Sequence, residues 1–202
     1  MLVKVCGLKD EKNIDDVSNL DIDFMGLIFY RKSKRFFDKD YLVKKNNKKI
    51  VGVFVNETID EIKRISKKYD LDYVQLHGDE SKSFCKEASA FCNVIKAFRI
   101  DENFEMNSIE GYSNFCRYYL FDTLTKSYGG SGKKFNWDII LKYSHKKDFI
   151  LSGGLSIKSI KDILNIKKKL PNLIGIDINS KFEIRPGLKD TQTIKKFINS
   201  IK

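Results

Sequence analysis

Eight short apolar runs rich in β-branched and aromatic residues punctuate the chain: Leu2 to Cys6, Phe24 to Phe29, Ile50 to Val55, Tyr73 to Leu76, Val94 to Phe98, Tyr118 to Phe121, Phe149 to Leu151 and Leu173 to Ile178. Each is the length of a strand. Between several of them the apolar positions change to a helical period. Ile59, Ile62, Ile65 and Ser66 share one helix face, with Lys63 and Lys67 opposite. Ile157, Ile160, Ile163 and Leu164 repeat the pattern, and Ile194, Phe197, Ile198 and Ile201 close the chain. Asp10 stands where it can cap a helix beginning at Glu11. Eight alternating β and α units predict a (β/α)8 barrel, a single domain over residues 1–202 and near the minimum size for that fold. A doubly wound open sheet competes, but no Gly-x-Gly-x-x-Gly turn follows the first strand.

Composition changes this picture little. The formal net charge is +11, with 42% hydrophobic residues and two prolines. A basic excess can signal nucleic acid. Here the lysines are spread through predicted helices and no aromatics interleave with them as a stacking platform would need. Nucleic-acid binding is therefore not expected, although a basic field favours an anionic small substrate. Cys6, Cys85, Cys92 and Cys116 form no CxxC pair and read as free thiols, with no metal site among them. There is no signal-like start and no apolar run long enough to span a bilayer. The expectation is a cytoplasmic protein.

In a barrel, chemistry sits after the C-terminal ends of the strands. Those positions hold Cys6-Gly7, the basic loop Arg31 to Arg35, Asn56, His77-Gly78-Asp79, Asp122-Thr123, Ser152-Gly153-Gly154 and Asn179-Ser180. Period-two alternation places Lys4 with Cys6, Leu120 with Asp122, and Gly175 with Asp177. A cysteine and two aspartates can thus converge at the barrel mouth. A thiol acts as a base only as thiolate, and the charge of Lys4 can lower its pKa. Lys4 reads equally well as half of an ion pair in the barrel floor, Cys6 as a small buried hydrophobe, and Asp122 as a cap or turn residue. Gly153 and Gly154 lead into a helix and can present N–H groups to a phosphate. The Gly129 to Lys133 run lacks Walker spacing, so it reads as a flexible lid rather than an ATP loop. Arg35 can clamp a carboxylate, while Arg31, Lys32 and Lys34 beside it read as solvated. His77 can bind substrate or orient a neighbour. His145, in a Lys-rich helix end, reads as inert.

Several of these segments carry a resemblance. They are Lys4-Val5-Cys6-Gly7, Gly26 to Tyr30 with Ser33-Lys34-Arg35, Val51 to Asn56, Val74 to Gly78, Phe121-Asp122-Thr123, Tyr128 to Lys133 with Phe135-Asn136-Trp137, Leu151 to Leu155, Gly175 to Ser180, and Pro186 to Asp190. In this order they resemble phosphoribosylanthranilate isomerase, a (β/α)8 barrel family of tryptophan biosynthesis. The resemblance implies an Amadori rearrangement without metal or cofactor. It carries the catalytic base onto Cys6, the catalytic acid onto Asp122, and the arginine that holds the anthranilate carboxylate onto Arg35. It leaves His77, Gly153, Gly154, Asp177, Asn179 and Ser180 as further substrate contacts, and either a monomer or a homodimer. The chemistry asks for a raised aspartic acid and a lowered thiol. Two positions depart from the pattern. Lys181 stands where glycine is usual, which would strain a left-handed backbone. Asn136 replaces a common aspartate before Trp137. A neighbouring barrel, indole-glycerol-phosphate synthase, is a second reading, with Lys96 its only inner-strand lysine candidate. A basic nucleic-acid-binding protein on a degenerate barrel is a third.

Overall fold

The computed structural model describes residues 1–123 and 137–202. Eight parallel strands close on themselves: β1 (Leu2–Cys6), β2 (Phe24–Ile28), β3 (Lys49–Phe54), β4 (Tyr73–Leu76), β5 (Asn93–Ile100), β6 (Tyr118–Thr123), β7 (Phe149–Leu151) and β8 (Leu173–Ile178). Closure comes from β1 lying between β2 and β8, with Leu2 opposite Gly175 and Lys4 opposite Asp177. This is the barrel that the apolar runs predict, and an open sheet is excluded. No helix among the described residues is long and apolar enough to cross a membrane.

The helical layer is less regular than the strands. The helices are α1 (Glu11–Ser18), α2 (Ile59–Lys68), α3 (Lys82–Ser89), α4 (Trp137–Ile140), α5 (Ile160–Lys169) and α6 (Thr191–Ile201). Side-chain caps start four of them. Asp10, Thr58, Ser81 and Asp190 accept from the N–H groups of Asn13, Glu61, Phe84 and Thr193. A helix after every strand is not what forms. Between β2 and β3 the chain runs through turns, because that stretch has no 3.6-residue apolar face. Phe37 anchors it instead, packing its ring edge-on to Phe29, Tyr41 and Tyr69. Between β5 and β6 stand two single 3-10 turns, Met106–Ile109 and Tyr112–Asn114. A short antiparallel pair, β9 (Glu183–Arg185) and β10 (Leu188–Lys189), follows β8.

Strand alternation sorts the core into two. Phe24, Val51, Ile95, Ala97, Tyr118, Leu120 and Ile150 fill the barrel interior. A larger apolar set lies between the strands and the outer layer. The interior set occupies the lower part of the barrel, where Tyr73 stacks on Tyr118 with ring centroids 6.0 Å apart. Above it, the inward positions turn polar: Lys4 and Cys6, Gln75, Asp122, Ser152 and Asp177. That change of composition along each strand places the site at one end of the barrel.

Candidate active site

The first group of residues spans the seam between β1 and β8. Lys4 Nζ lies 3.1 and 3.0 Å from the two carboxylate oxygens of Asp177, and both side chains are buried. Burial pulls the Lys4 ammonium down, but Asp177 and Cys6 outweigh it and hold the group above its ordinary value. Burial pushes the Asp177 carboxyl up against the pull of Lys4, and Asp122 adds to the rise. Cys6 is 4% exposed and within electrostatic reach of the Lys4 ammonium. Its thiol is pushed above the ordinary value by burial, with Lys4 opposing. Loss of solvation on burial thus acts against the help that the Lys4 ammonium gives the thiolate. Gly26 on the adjacent strand makes room: a Cβ there would stand 2.9 Å from Cys6 Sγ and 3.1 Å from Lys4 Nζ.

The second group bridges β4 and β6. His77 Nε2 lies 3.1 Å from Asp122 Oδ2, and its Nδ1 lies 2.6 Å from the Gln75 amide nitrogen. Ala97 is an inward residue of the intervening β5. The turn carrying His77 is held from behind. Lys96 Nζ donates to the carbonyls of Leu76 and Gly78 and to Glu80 Oε2. Glu80 in turn accepts from the N–H groups of Asn56 and Gly78. Lys96 is thus occupied in fastening β3, β4 and β5 together, which removes it as a candidate for synthase chemistry.

The third group is built on the loop after β8. Arg35 donates from Nε and Nη2 to both oxygens of Glu183, at 2.6 to 3.0 Å. Lys189 Nζ donates to Glu183 Oε1 and Asn179 Oδ1, each at 2.7 Å. Burial pushes the Glu183 carboxyl up, but Arg35 and Lys189 outweigh it and hold it below the ordinary range. Gly7 lets these residues meet. Its φ is +79°, and a Cβ would stand 2.6 Å from Arg35 Cδ and 2.8 Å from Asn179 Oδ1. The charge of Lys189 also reaches Cys6, so this group and the first share one field.

Gly153 and Gly154 both have positive φ, and no hydrogen bond within the described residues engages their N–H groups. Ser152 N–H, just before them, is tied to the Phe121 carbonyl. Ser180 and Lys181 lie in a 3-10 turn. Lys181 is exposed and has no left-handed backbone, so glycine is not required there. His145 is at no helix end; its Nε2 meets the Met106 carbonyl oxygen. The lid reading of Gly129 to Lys133 and the cap reading of Asn136 fall outside the described residues.

A family model described as N-(5'phosphoribosyl)anthranilate (PRA) isomerase matches residues 3–200. The chain belongs to this isomerase family. A curated relative, the N-(5'-phosphoribosyl)anthranilate isomerase of Parabacteroides distasonis, is 40% identical over 100% of this chain and 93% of its own. The crystal structure of the Thermotoga maritima phosphoribosyl anthranilate isomerase superposes with a TM-score of 0.85 at 31% identity, covering 100% of this chain and 98% of that one. A further phosphoribosyl anthranilate isomerase structure, in complex with reduced 1-(o-carboxyphenylamino)-1-deoxyribulose 5-phosphate, has a TM-score of 0.82 at 28% identity, with 100% and 98% covered. Family membership sets aside the synthase reading. The isomerase fold thus gathers Cys6, Asp177, His77 and Asp122 at one end of the barrel, with Arg35 and Asn179 joined to them across Gly7. Glu183, Lys189, Gln75 and Glu80 escaped sequence reasoning as site residues. The first two lie in an irregular loop without a periodic pattern, and an inward Gln or a loop Glu has no motif of its own.

Proposed function

We propose that the protein catalyses the Amadori rearrangement of N-(5-phosphoribosyl)anthranilate to 1-(2-carboxyphenylamino)-1-deoxyribulose 5-phosphate, with Asp122 as general acid and Cys6 as general base. The observation that carries this reading is the convergence of a thiol beside an ammonium and a carboxyl beside an imidazole at the mouth of a barrel of this family.

Asp122 gives its proton to the furanose ring oxygen, and the C1–O bond breaks to leave a protonated Schiff base. Cys6, as thiolate, takes the proton from C2, and the electron pair moves to neutralise the iminium nitrogen. The resulting enolamine tautomerises to the ketone. Lys4 favours the thiolate by its charge, while burial opposes it, so the base fraction grows as pH rises. Arg35 takes the anthranilate carboxylate on the guanidinium edge that Glu183 does not use. The N–H groups of Gly153 and Gly154, with Asn179 and Ser180 across from them, take the phosphate. His77 and Asp177 act through Asp122 and Lys4. The test follows loss of substrate fluorescence with purified protein. Asp122→Asn and Cys6→Ala should each lose at least about a hundredfold in turnover, and near-normal turnover in either sinks the assignment.

A further inference from the structure

The imidazole of His77 stands between two partners, and one of them sets which nitrogen carries its proton. On one side is the Gln75 amide nitrogen, 2.6 Å from Nδ1; on the other is Asp122 Oδ2, 3.1 Å from Nε2. An amide N–H only donates, so the ring nitrogen facing it must offer its lone pair. A neutral imidazole has one N–H, which is then on Nε2 and points at Asp122. Were the amide reversed, its carbonyl oxygen would accept from Nδ1–H, and His77 would show Asp122 a lone pair. The orientation of one buried amide therefore decides whether His77 supports a carboxylate or a carboxylic acid.

Gln75 is placed for that task. It lies two residues before His77, on the same inward face of β4. It is 1% exposed, and its Oε1 is buried with no hydrogen-bond partner among the described residues. A buried unsatisfied acceptor is a cost that packing alone would remove by an apolar residue of similar shape. Among the described residues, the amide's only side-chain bond is to His77. Besides Asp122, the Asp177 carboxyl on β8 also feels the charge of His77.

We propose that Gln75 is a positioning residue that holds His77 in the Nε2–H tautomer, so that the neutral imidazole donates to the Asp122 carboxylate left after Asp122 has protonated the substrate. This rests on Asp122 being the acid. Gln75 touches no reacting atom. Its contribution is to make the conjugate base of the acid better solvated than bulk packing would, at the step where the ring has opened.

The decisive measurement is the 15N spectrum of the histidine ring in the wild-type protein. The chain has two histidines, and a His145→Gln variant leaves His77 alone in the spectrum. A dominant Nε2–H tautomer near neutral pH is the expected result. A dominant Nδ1–H tautomer, an even mixture or an imidazolium overturns the proposal, and none of these readings needs a Gln75 variant to fold. In Gln75→Glu the new carboxylate should draw a proton to Nδ1, seen in the same spectrum. Gln75→Leu should lower kcat about tenfold to a hundredfold, the scale of outer hydrogen bonds on a reacting group, with KM within about twofold. An unchanged tautomer together with unchanged kcat in Gln75→Leu also overturns it. The two readings fail separately. An active Asp122→Asn removes the acid assignment whatever the tautomer, whereas an inactive Asp122→Asn beside an Nδ1–H spectrum removes only the role of Gln75.

Discussion

Arg35 gives one edge of its guanidinium to Glu183, with Nε 2.9 Å from Oε1 and Nη2 2.6 Å from Oε2. The fork is fixed by a buried acid, so the remaining Nη1 edge is aimed before any ligand arrives. Preorganisation of this kind removes the cost of ordering a long side chain on binding. Glu183→Gln keeps the shape but loses the charge-assisted bonds, which are worth about 1.5–3 kcal/mol. The expected result is a KM raised about tenfold to a hundredfold with kcat nearly unchanged. Steady-state kinetics checks it.

The same carboxyl predicts an acid limb of stability. Burial raises its pKa, while Arg35 and Lys189 lower it further, to a net value below the ordinary 4.5. A group depressed in the folded state stabilises above its unfolded pKa, and that contribution is lost as pH falls through the folded value. Chemical denaturation midpoints should therefore drop below pH 4.5 partly because of Glu183. In Glu183→Gln that part of the slope should vanish, and an identical slope would contradict the pairing.

For Cys6 the sign runs the other way. A base must be deprotonated, and burial holds this thiol above its ordinary 9.0. Asp122 must hold its proton while Cys6 has lost its own, so kcat/KM should be bell-shaped, with the limb set by Cys6 on the alkaline side. Lys4→Met removes the opposing ammonium, so that limb should move to still higher pH and the maximum should fall. It also leaves Asp177 buried and unpaired, and a loss of about 3–5 kcal/mol in stability is expected. A pH–rate profile and a thermal melt separate the two effects.

Gly7→Ala tests the packing that joins the phosphate side to the carboxylate side. The new methyl meets Arg35 Cδ and Asn179 Oδ1 inside contact distance, on a backbone with φ of +79°. Strain of this kind costs about 1–3 kcal/mol, and both neighbours are proposed ligands. Melting temperature and substrate affinity should fall together. A stable variant with weakened binding would locate the effect in the two ligands rather than in backbone strain.

The strands were legible because each is a contiguous apolar run whose alternate residues face a buried interior. The predicted ends fall within two residues of those observed. The caps at Asp10 and the face of α2 were equally plain. What the sequence did not reveal was the arc between β2 and β3, where aromatic packing around Phe37 replaces a helix. The site was half legible. Cys6, His77 and Asp122 sit at strand ends, where position along a barrel has meaning. Lys4 divided evenly between two roles, and the structure gives it both, as the partner of Asp177 and the neighbour of Cys6. The pull of Lys4 on the Cys6 thiol was legible, but the opposing effect of burial was not, because desolvation depends on what covers a residue and no local pattern reports that. Glu183 and Gln75 depend on partners far along the chain or on the angle of one amide.

The pairing of Lys4 with Asp177 joins residues 173 positions apart. During synthesis β1 leaves the ribosome before β8 and must wait for it. Until then its lysine has no counter-ion, and it cannot be buried without one. A nascent chain ending after β7 thus carries a charged first strand that resists premature docking. The barrel cannot lock shut, and Cys6 cannot gain its full electrostatic surroundings, until all eight strands exist.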